Sequence, residues 1–365
     1  MISREFIQKS LEGGSAKEEN YFGLEYIRFL DDLSGVPRGT VVVGGRTIYG
    51  YPRIGRVISL DTGIRGEFIN PFHVEEKVDG YNVRIFFADG EVFALTRGGF
   101  ICPFSTDRLP DLLDTDIFQK ESDLILCSEF AGPGNPYNEE APSYIKNDVE
   151  MFVFDLLRKD HSEFLSFEEK SDLIEKYAVA SVPYFGLFQV GDESKIQNIM
   201  IKLNDENREG IVLKESGGKN RRAKYVTSSS CLADIAVTSR FLYDLDSEYF
   251  TNRILQAAVF MRDSKIPFDD AEHKKLGKAF YDGLGRAVED YRKFRKIENT
   301  FSCFFRKKES AERMLVCLNE RSPRGTILGG SITEEGGGWR LCFERVFPKT
   351  TGFLGYLMGG GLMFD

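Results

Sequence analysis

No two cysteines are spaced C-x-x-C, and the six that occur, at 102, 127, 231, 303, 317 and 342, are scattered. That spacing argues against a zinc site and supplies no disulfide framework, so reduced thiols in a cytoplasmic protein are expected. No apolar run reaches the roughly 20 residues of a membrane-spanning helix. The first residues, MISREFIQKSLEGG, are too polar for a secretory leader. Only three histidines are present, His73, His161 and His273, isolated from one another and expected to be structural. A basic excess is also missing: the formal net charge is -9. Nucleic-acid binders usually carry the opposite sign. A nucleic-acid partner would therefore need a local basic cleft on an acidic body, with Arg97, Lys214, Lys219, Arg221, Arg222 and Lys224 as its candidate lining.

What is there is the composition of a globular protein: 365 residues, 42% hydrophobic, with 31 Phe against a single Trp. That length exceeds one ordinary core, so about two to four domains are expected. The pattern VVVGGRTIYGY (41–51) predicts a hairpin around Gly-Gly, and GRVISL (55–60) a continuing strand. YNVRIFF and EVFALTRGG flank an Asp-Gly turn and predict a second hairpin. The runs in SDLILCSEFAG and EMFVFDLL read as central strands, as do EGIVLKE and RRAKYVTS.

Ser166, with Glu169 three residues on, predicts a capped helix over 166–178, and SKIQNIMIKL a second helix. Beyond about residue 232 the pattern turns helical. There Leu276, Phe280, Leu284, Ala287, Val288, Tyr291 and Phe294 form one apolar stripe. Either neighbouring elements of the chain or a second copy of it must cover that stripe. SAERMLVCLNE reads as a further short helix, and strands with Gly-rich turns close the chain. Pro37-Arg38-Gly39-Thr40 is echoed by Pro323-Arg324-Gly325-Thr326, each leading into an apolar run. The expected class is α+β. Its segments are an N-terminal β-rich part (1–65), a central domain of antiparallel sheets with flanking helices (66–231), a helical segment (232–300) and a β-rich C-terminal part (301–365).

One lysine stands out. Lys77 sits in EEKVDGYNVRIFF, within an apolar neighbourhood and just before an Asp-Gly turn. Burying an unpaired charge is expensive. A lysine is a nucleophile only when neutral, against a reference pKa of about 10.4, and burial or nearby cations can lower that value. Alone, the tetrapeptide KVDG is an ordinary surface turn. Its company in order is what counts: KVDGYNVR (77–84), TRGG (96–99), SEFAG (128–132), FVFD (152–155), EGIVLK (209–214) and RAKY (222–225).

As an ordered set these fragments resemble the covalent nucleotidyltransferases: ATP-dependent DNA ligases, RNA ligases and mRNA capping enzymes. TRGG and the Asn in KVDGYN are more similar to RNA ligases. Helical residues after 232, where DNA ligases carry an OB domain, fit the same branch. The whole layout resembles the homodimeric archaeal-type ATP-dependent RNA ligases. The resemblance implies an ATP-grasp-like nucleotidyltransferase domain and a dimer contact through 232–300. It further implies a three-step reaction on RNA, single-stranded in the expected case: ATP to a lysyl-AMP on Lys77, AMP to an RNA 5′-phosphate, and sealing by a 3′-hydroxyl.

By matched position, Lys77 is the nucleophile, with Asp79 shaping its loop. Cations at Lys214 and Lys224 and metal ions are expected to outweigh Asp79 and keep the amine neutral. Glu129 would accept from ribose hydroxyls, Arg97 contact ribose or phosphate, and Phe154 stack on adenine. Glu209 would hold Mg²⁺ or Mn²⁺, and Lys224 contact the α-phosphate. Lys214, five residues from Glu209, falls on the other side of the pleat unless a bulge or twist intervenes. Many relatives have a lysine where this chain has Arg222, which cannot shed its proton. Alternation puts Asn82 and Arg84 on one side, both facing the cleft, with Asn82 serving the RNA end. Glu75 or Glu76 would meet the adenine edge. The rival readings are a DNA ligase or capping guanylyltransferase of the same superfamily, and a non-catalytic RNA-end-binding protein.

Overall fold

An amphipathic helix, α1 (Arg4–Glu12), is capped by the Ser3 hydroxyl and precedes a four-stranded antiparallel sheet. The strands are β1 (Ala16–Tyr21), β2 (Leu24–Phe29), β3 (Val41–Val43) and β4 (Arg46–Ile48), with the expected Gly44-Gly45 turn joining the last two. The strand expected over 55–60 is corrected: β5 (Gly55–Arg56) has two residues, and α2 (Leu60–Glu67) follows, burying Leu60 and Ile64 four apart. The computed structural model describes residues 2–146, 148–217, 221–323 and 325–363, so Lys219 and Arg324 lie outside the described residues.

Two sheets build the middle of the chain. In order come β6 (Phe72–Lys77), β7 (Tyr81–Ala88), β8 (Glu91–Thr96), α3 (Pro103–Leu112), α4 (Ile117–Lys120) and β9 (Leu124–Ala131). They are followed by β10 (Glu150–Arg158), α5 (Phe167–Lys176), β11 (Tyr184–Phe188), α6 (Glu193–Asp205), β12 (Gly210–Glu215) and β13 (Arg222–Val226). One sheet runs β10-β9-β7-β8 and the other β11-β6-β12-β13-β5. Asp89 and Gly90 make the β7–β8 turn, both at positive φ, and Ser166 and Glu169 form the expected capping box on α5.

Strand alternation sets which residues meet the cleft. Val74, Ile211, Leu213, Ala223 and Tyr225 bury one face of the second sheet against Ile64, Ile196, Met200 and Phe260. Their neighbours Glu75, Lys77, Val212, Lys214 and Lys224 therefore share the opposite face. The N-terminal sheet packs Tyr26, Val41 and Ile48 with Phe86, Leu95 and Ile125 of the first sheet, closing one end of the groove between the sheets.

The helical segment begins earlier than expected, with α7 (Ser228–Thr238), then a 3₁₀ turn (Ser239–Asp244), α8 (Glu248–Asp263) and α9 (Asp270–Phe294). It also ends earlier, because β14 (Glu298–Phe305) already belongs to the last sheet. Along the α9 stripe Ala287 is buried, while Phe294 keeps 51% exposure.

After β14 come α10 (Lys308–Arg321), β15 (Ile327–Glu335), β16 (Gly338–Val346) and an unanticipated α11 (Pro348–Met358). This three-stranded sheet and α10 share a core with Cys102 and Phe104 at the start of α3. The last residue of each echoed tetrapeptide bonds the first in the same way: Thr40 and Thr326 donate from Oγ1 at 2.6 Å and from N at 3.1 Å to the carbonyls of Pro37 and Pro323. Among the described residues no helix is long and apolar enough to cross a membrane.

Candidate active site

Lys77 is the last residue of β6, where the chain must turn sharply into β7. The turn passes so close to β9 that a Cβ at Gly80 would lie 2.3 Å from the Phe130 carbonyl oxygen. Gly80 is thus dictated by backbone approach, and Lys77 lines a cavity of about 580 Å³. Glu75, Asn82, Arg97, Glu129, Phe154, Lys214 and Lys224 line the same cavity, so most of the expected site converges there. Asn82 and Glu129 are register partners on β7 and β9 and so share a face.

Lys77 Nζ donates to Glu209 Oε2 at 2.6 Å. Glu209 immediately precedes β12, where Gly210 pairs with Lys77 at φ 152°. A Cβ there would meet the Tyr225 carbonyl at 2.2 Å, so only glycine fits this twist. Glu209 reaches Lys77 from just before the strand and lines an adjoining cavity with Asp79, while Lys214 lines the cavity of Lys77.

The charge around the amine is opposite to expectation. Burial pulls the Lys77 ammonium down, but Glu209, Glu129 and Asp79 together hold it above its ordinary value. Lys214 cannot offset them, because its Nζ is engaged by Glu75, Phe154 O at 2.6 Å and Asp155 at 3.1 Å. Lys224 is lowered by burial and by the charges of Lys77 and Arg56. Glu129 is pushed up to about 8, first by burial and then by Glu209 and Asp79 against the pull of Lys77.

Two residues expected to contact nucleotide, Arg84 and Arg222, do not line the cavity. Arg84 lies on the same strand face as Asn82, but the N-terminal sheet has closed the groove before reaching it. Fully buried, it donates to the carbonyls of Tyr49 at 2.6 Å, Gly39 at 2.7 Å and Thr96 at 3.2 Å. Arg222 is not among the cavity-lining residues: it bonds Asp155 and, at 2.8 Å, the Tyr51 hydroxyl. Both candidates for the adenine edge line the cavity, Glu76 accepting from Arg208 Nη1 at 2.8 and 2.9 Å and Glu75 held between Lys170 and Lys214.

These corrections expose a buried network that sequence reading missed. Asp155 and Glu75 are surrounded by Arg222, Lys214 and Lys170, and the three cations hold the Asp155 carboxyl below the usual carboxylate range despite burial. Asp155 ends the FVFD fragment, and a register shift between Val153 and Asp155 breaks the alternation that would locate it. The shift also turns Phe154 to the cavity, where its ring meets Tyr51 edge-on at 5.2 Å. Lys170, on the exposed-looking α5, carried no signal at all.

A divalent cation fits the chemistry of Glu209, Glu129 and Asp79, which offer only carboxylate oxygens and crowd negative charge around one amine. Among the described residues no group of three ligand side chains is preformed to cage a metal. A cation here would share its coordination with phosphate.

Residues 70–226 match the RNA ligase family, and residues 237–361 the C-terminal region of the Pab1020 ligase. A solved structure of an archaeal ATP-dependent RNA ligase is 26% identical, with a TM-score of 0.87 over 98% of this chain and 96% of that one. A protein of Aquifex aeolicus provisionally named an ATP-dependent DNA ligase is 46% identical, with a TM-score of 0.94 over 99% of this chain and all 100% of that one. An uncharacterized protein of Methanocaldococcus jannaschii is 28% identical over 98% of this chain and 94% of its own. The fold, the cavity around Lys77 and these matches agree: the chain belongs to the RNA ligase family, as an ATP-dependent ligase whose residues 237–361 form a Pab1020-type C-terminal region.

Proposed function

We propose that the protein seals RNA ends through a lysyl-AMP carried on Lys77. The observation that carries this is the cavity that Lys77 lines together with Phe154, Glu129, Lys214 and Lys224. In the first step the Lys77 ammonium sheds one proton to become a nucleophile and a second as its N–P bond forms. Glu209, within reach at 2.6 Å, relays the first proton to solvent, and the second passes to solvent as the bond forms. The α–β P–O bond breaks, and its electron pair leaves with pyrophosphate. AMP then passes to an RNA 5′-phosphate, and a 3′-hydroxyl displaces it to close the phosphodiester.

Phe154 stacks on the adenine, Glu129 accepts from the ribose, and Lys224 and Arg97 neutralise phosphate. A divalent cation at Glu209, Mg²⁺ or Mn²⁺, supplies charge neutralisation for the phosphates when bound. An adjoining cleft of about 460 Å³, lined by Arg38, Arg53, Arg97 and Lys224, offers the departing pyrophosphate a cationic path. The reading includes a cytoplasmic protein of four segments, the expected 1–65, 66–231, 232–300 and 301–365, with the last two boundaries moved to the start of α7 and the start of β14. It also includes a homodimer formed through 232–300, favoured by exposed Leu255, Tyr281 and Phe294.

Incubation with α-labelled ATP is expected to attach AMP to the wild type and not to Lys77→Ala. Labelling by GTP instead, or none, would defeat the proposal. One observation favours a second reading, DNA sealing: the name of the Aquifex aeolicus relative. Matched 5′-phosphorylated RNA and DNA strands separate the two.

A further inference from the structure

The nucleotide reading does not use the whole cavity. Tyr81, Phe100, Tyr137 and Arg321 line it as well, beside Asn82. Arg321 ends α10 and is the one lining residue contributed by the C-terminal region among the described residues. Its position is fixed from both ends of its helix. At the start, the backbone amides of Arg306 and Lys307 donate to Asp107 of α3, at 2.5 and 3.2 Å. At the end, the Arg321 guanidinium lies over the Phe100 ring, 3.6 Å from its centre.

Arg28 lies over the same ring, also at 3.6 Å. Two guanidinium groups cannot share one ring face at that distance, so they take opposite faces. Arg28 is neutralised by Glu19 at 2.8 Å. Arg321 has no ion pair or hydrogen bond among the described residues. Stacking therefore orients the planar fork while leaving its N–H donors unspent, as recognition of a phosphate requires. Close by in the same cavity, the buried Oδ1 of Asn82 has no donor. A buried acceptor left unmet is unfavourable unless a ligand meets it.

We infer that this lobe holds the 5′-phosphorylated terminal nucleotide of the strand to be sealed, with Arg321 on its phosphate and Asn82 accepting from a ribose hydroxyl. The inference rests on the ligase reading above. It makes the C-terminal region part of the substrate site, because the AMP on Lys77 and the incoming phosphate must meet in one space.

The test is a two-stage reaction with full-length protein. Wild type, Arg321→Gln and Arg321→Lys are loaded with α-labelled ATP, then chased with a 5′-phosphorylated single-stranded oligoribonucleotide over a range of concentrations. For Arg321→Gln, transfer to RNA is expected to slow about tenfold or more relative to lysine loading, through a raised KM for the RNA, with partial recovery in Arg321→Lys. Wild type is expected to prefer the 5′-phosphorylated oligonucleotide over its 5′-hydroxyl counterpart as a binding partner, and Arg321→Gln to lose that preference. Equal slowing of loading and transfer would overturn the inference, placing Arg321 on the ATP or in the packing. An unaltered end preference would overturn it too. Failure of the wild type to load at all would instead remove the ligase reading itself.

Discussion

The Lys77 amine and the Glu209 carboxylate, 2.6 Å apart, are delivered to each other by adjacent strands whose register pairs Lys77 with Gly210. Without nucleotide the pair keeps the amine protonated, since a lysine raised above its ordinary value is charged over a wider pH range. Replacing Glu209 by Gln leaves burial as the leading influence, and burial lowers a lysine. The midpoint for acylation of Lys77 by acetic anhydride in the nucleotide-free protein is expected to fall by about one pH unit or more. Mass spectrometry of the Lys77 peptide across pH reads this, and a midpoint that stays or rises would contradict it.

Glu129 titrates near 8 in the fold, above the ordinary carboxylate value, so its proton is bound more tightly folded than unfolded. Stability from this group is full at acid pH and is lost as pH rises from about 4 toward the folded value. Glu129→Gln abolishes that loss. The nucleotide-free variant is expected to melt higher than wild type at alkaline pH, while loading AMP more slowly, the trade that functional carboxylates commonly show. Melting curves over pH, with a parallel loading assay, check both halves.

Asp155 behaves in the opposite sense. Held low by Arg222, Lys214 and Lys170, it contributes stability above the unfolded carboxylate value that disappears as pH falls through the folded one. Asp155→Asn takes a carboxylate from Lys214 and Arg222 and leaves Glu75 to Lys170 and Lys214. Removing one partner of a buried ion pair costs about 3–5 kcal/mol. Urea unfolding at neutral pH is expected to show a loss of that size, together with a flatter acid limb than wild type.

Arg84→Met removes a donor to three carbonyls; that of Thr96 keeps the Gly99 amide at 2.9 Å, while those of Tyr49 and Gly39 are left unmet. Each buried acceptor left unmet costs about 1–3 kcal/mol, so the variant is expected to unfold at clearly lower denaturant. Because Arg84 stands outside the cavity, AMP loading per folded molecule is expected to change by less than about threefold. A fully stable variant with abolished loading would show that Arg84 serves the nucleotide after all.

Lys77, Glu129, Phe154 and Lys224 were legible in the sequence because each sits in a short fragment whose order along the chain is itself informative. The strands were legible too, through alternation and Asp-Gly or Gly-Gly turns. Arg84 was placed on the correct face but in the wrong surroundings, since nothing local tells where a neighbouring sheet will close a groove. Lys170 and Arg321 were invisible for a related reason. Their roles depend on which helix end meets which strand, across separations of 95 residues from Lys170 to Glu75 and 206 from Arg345 to Glu139 in the tail's own docking. The early end of the helical segment escaped because β14 lacks a turn signal at its start.

The walls of the cavity are drawn from Tyr51 through to Arg321. During synthesis, a ribosome must therefore have released position 321 before the pocket can exist as described. A nascent chain not yet grown to that point would display Lys77 in a cavity still lacking the wall that Arg321 supplies.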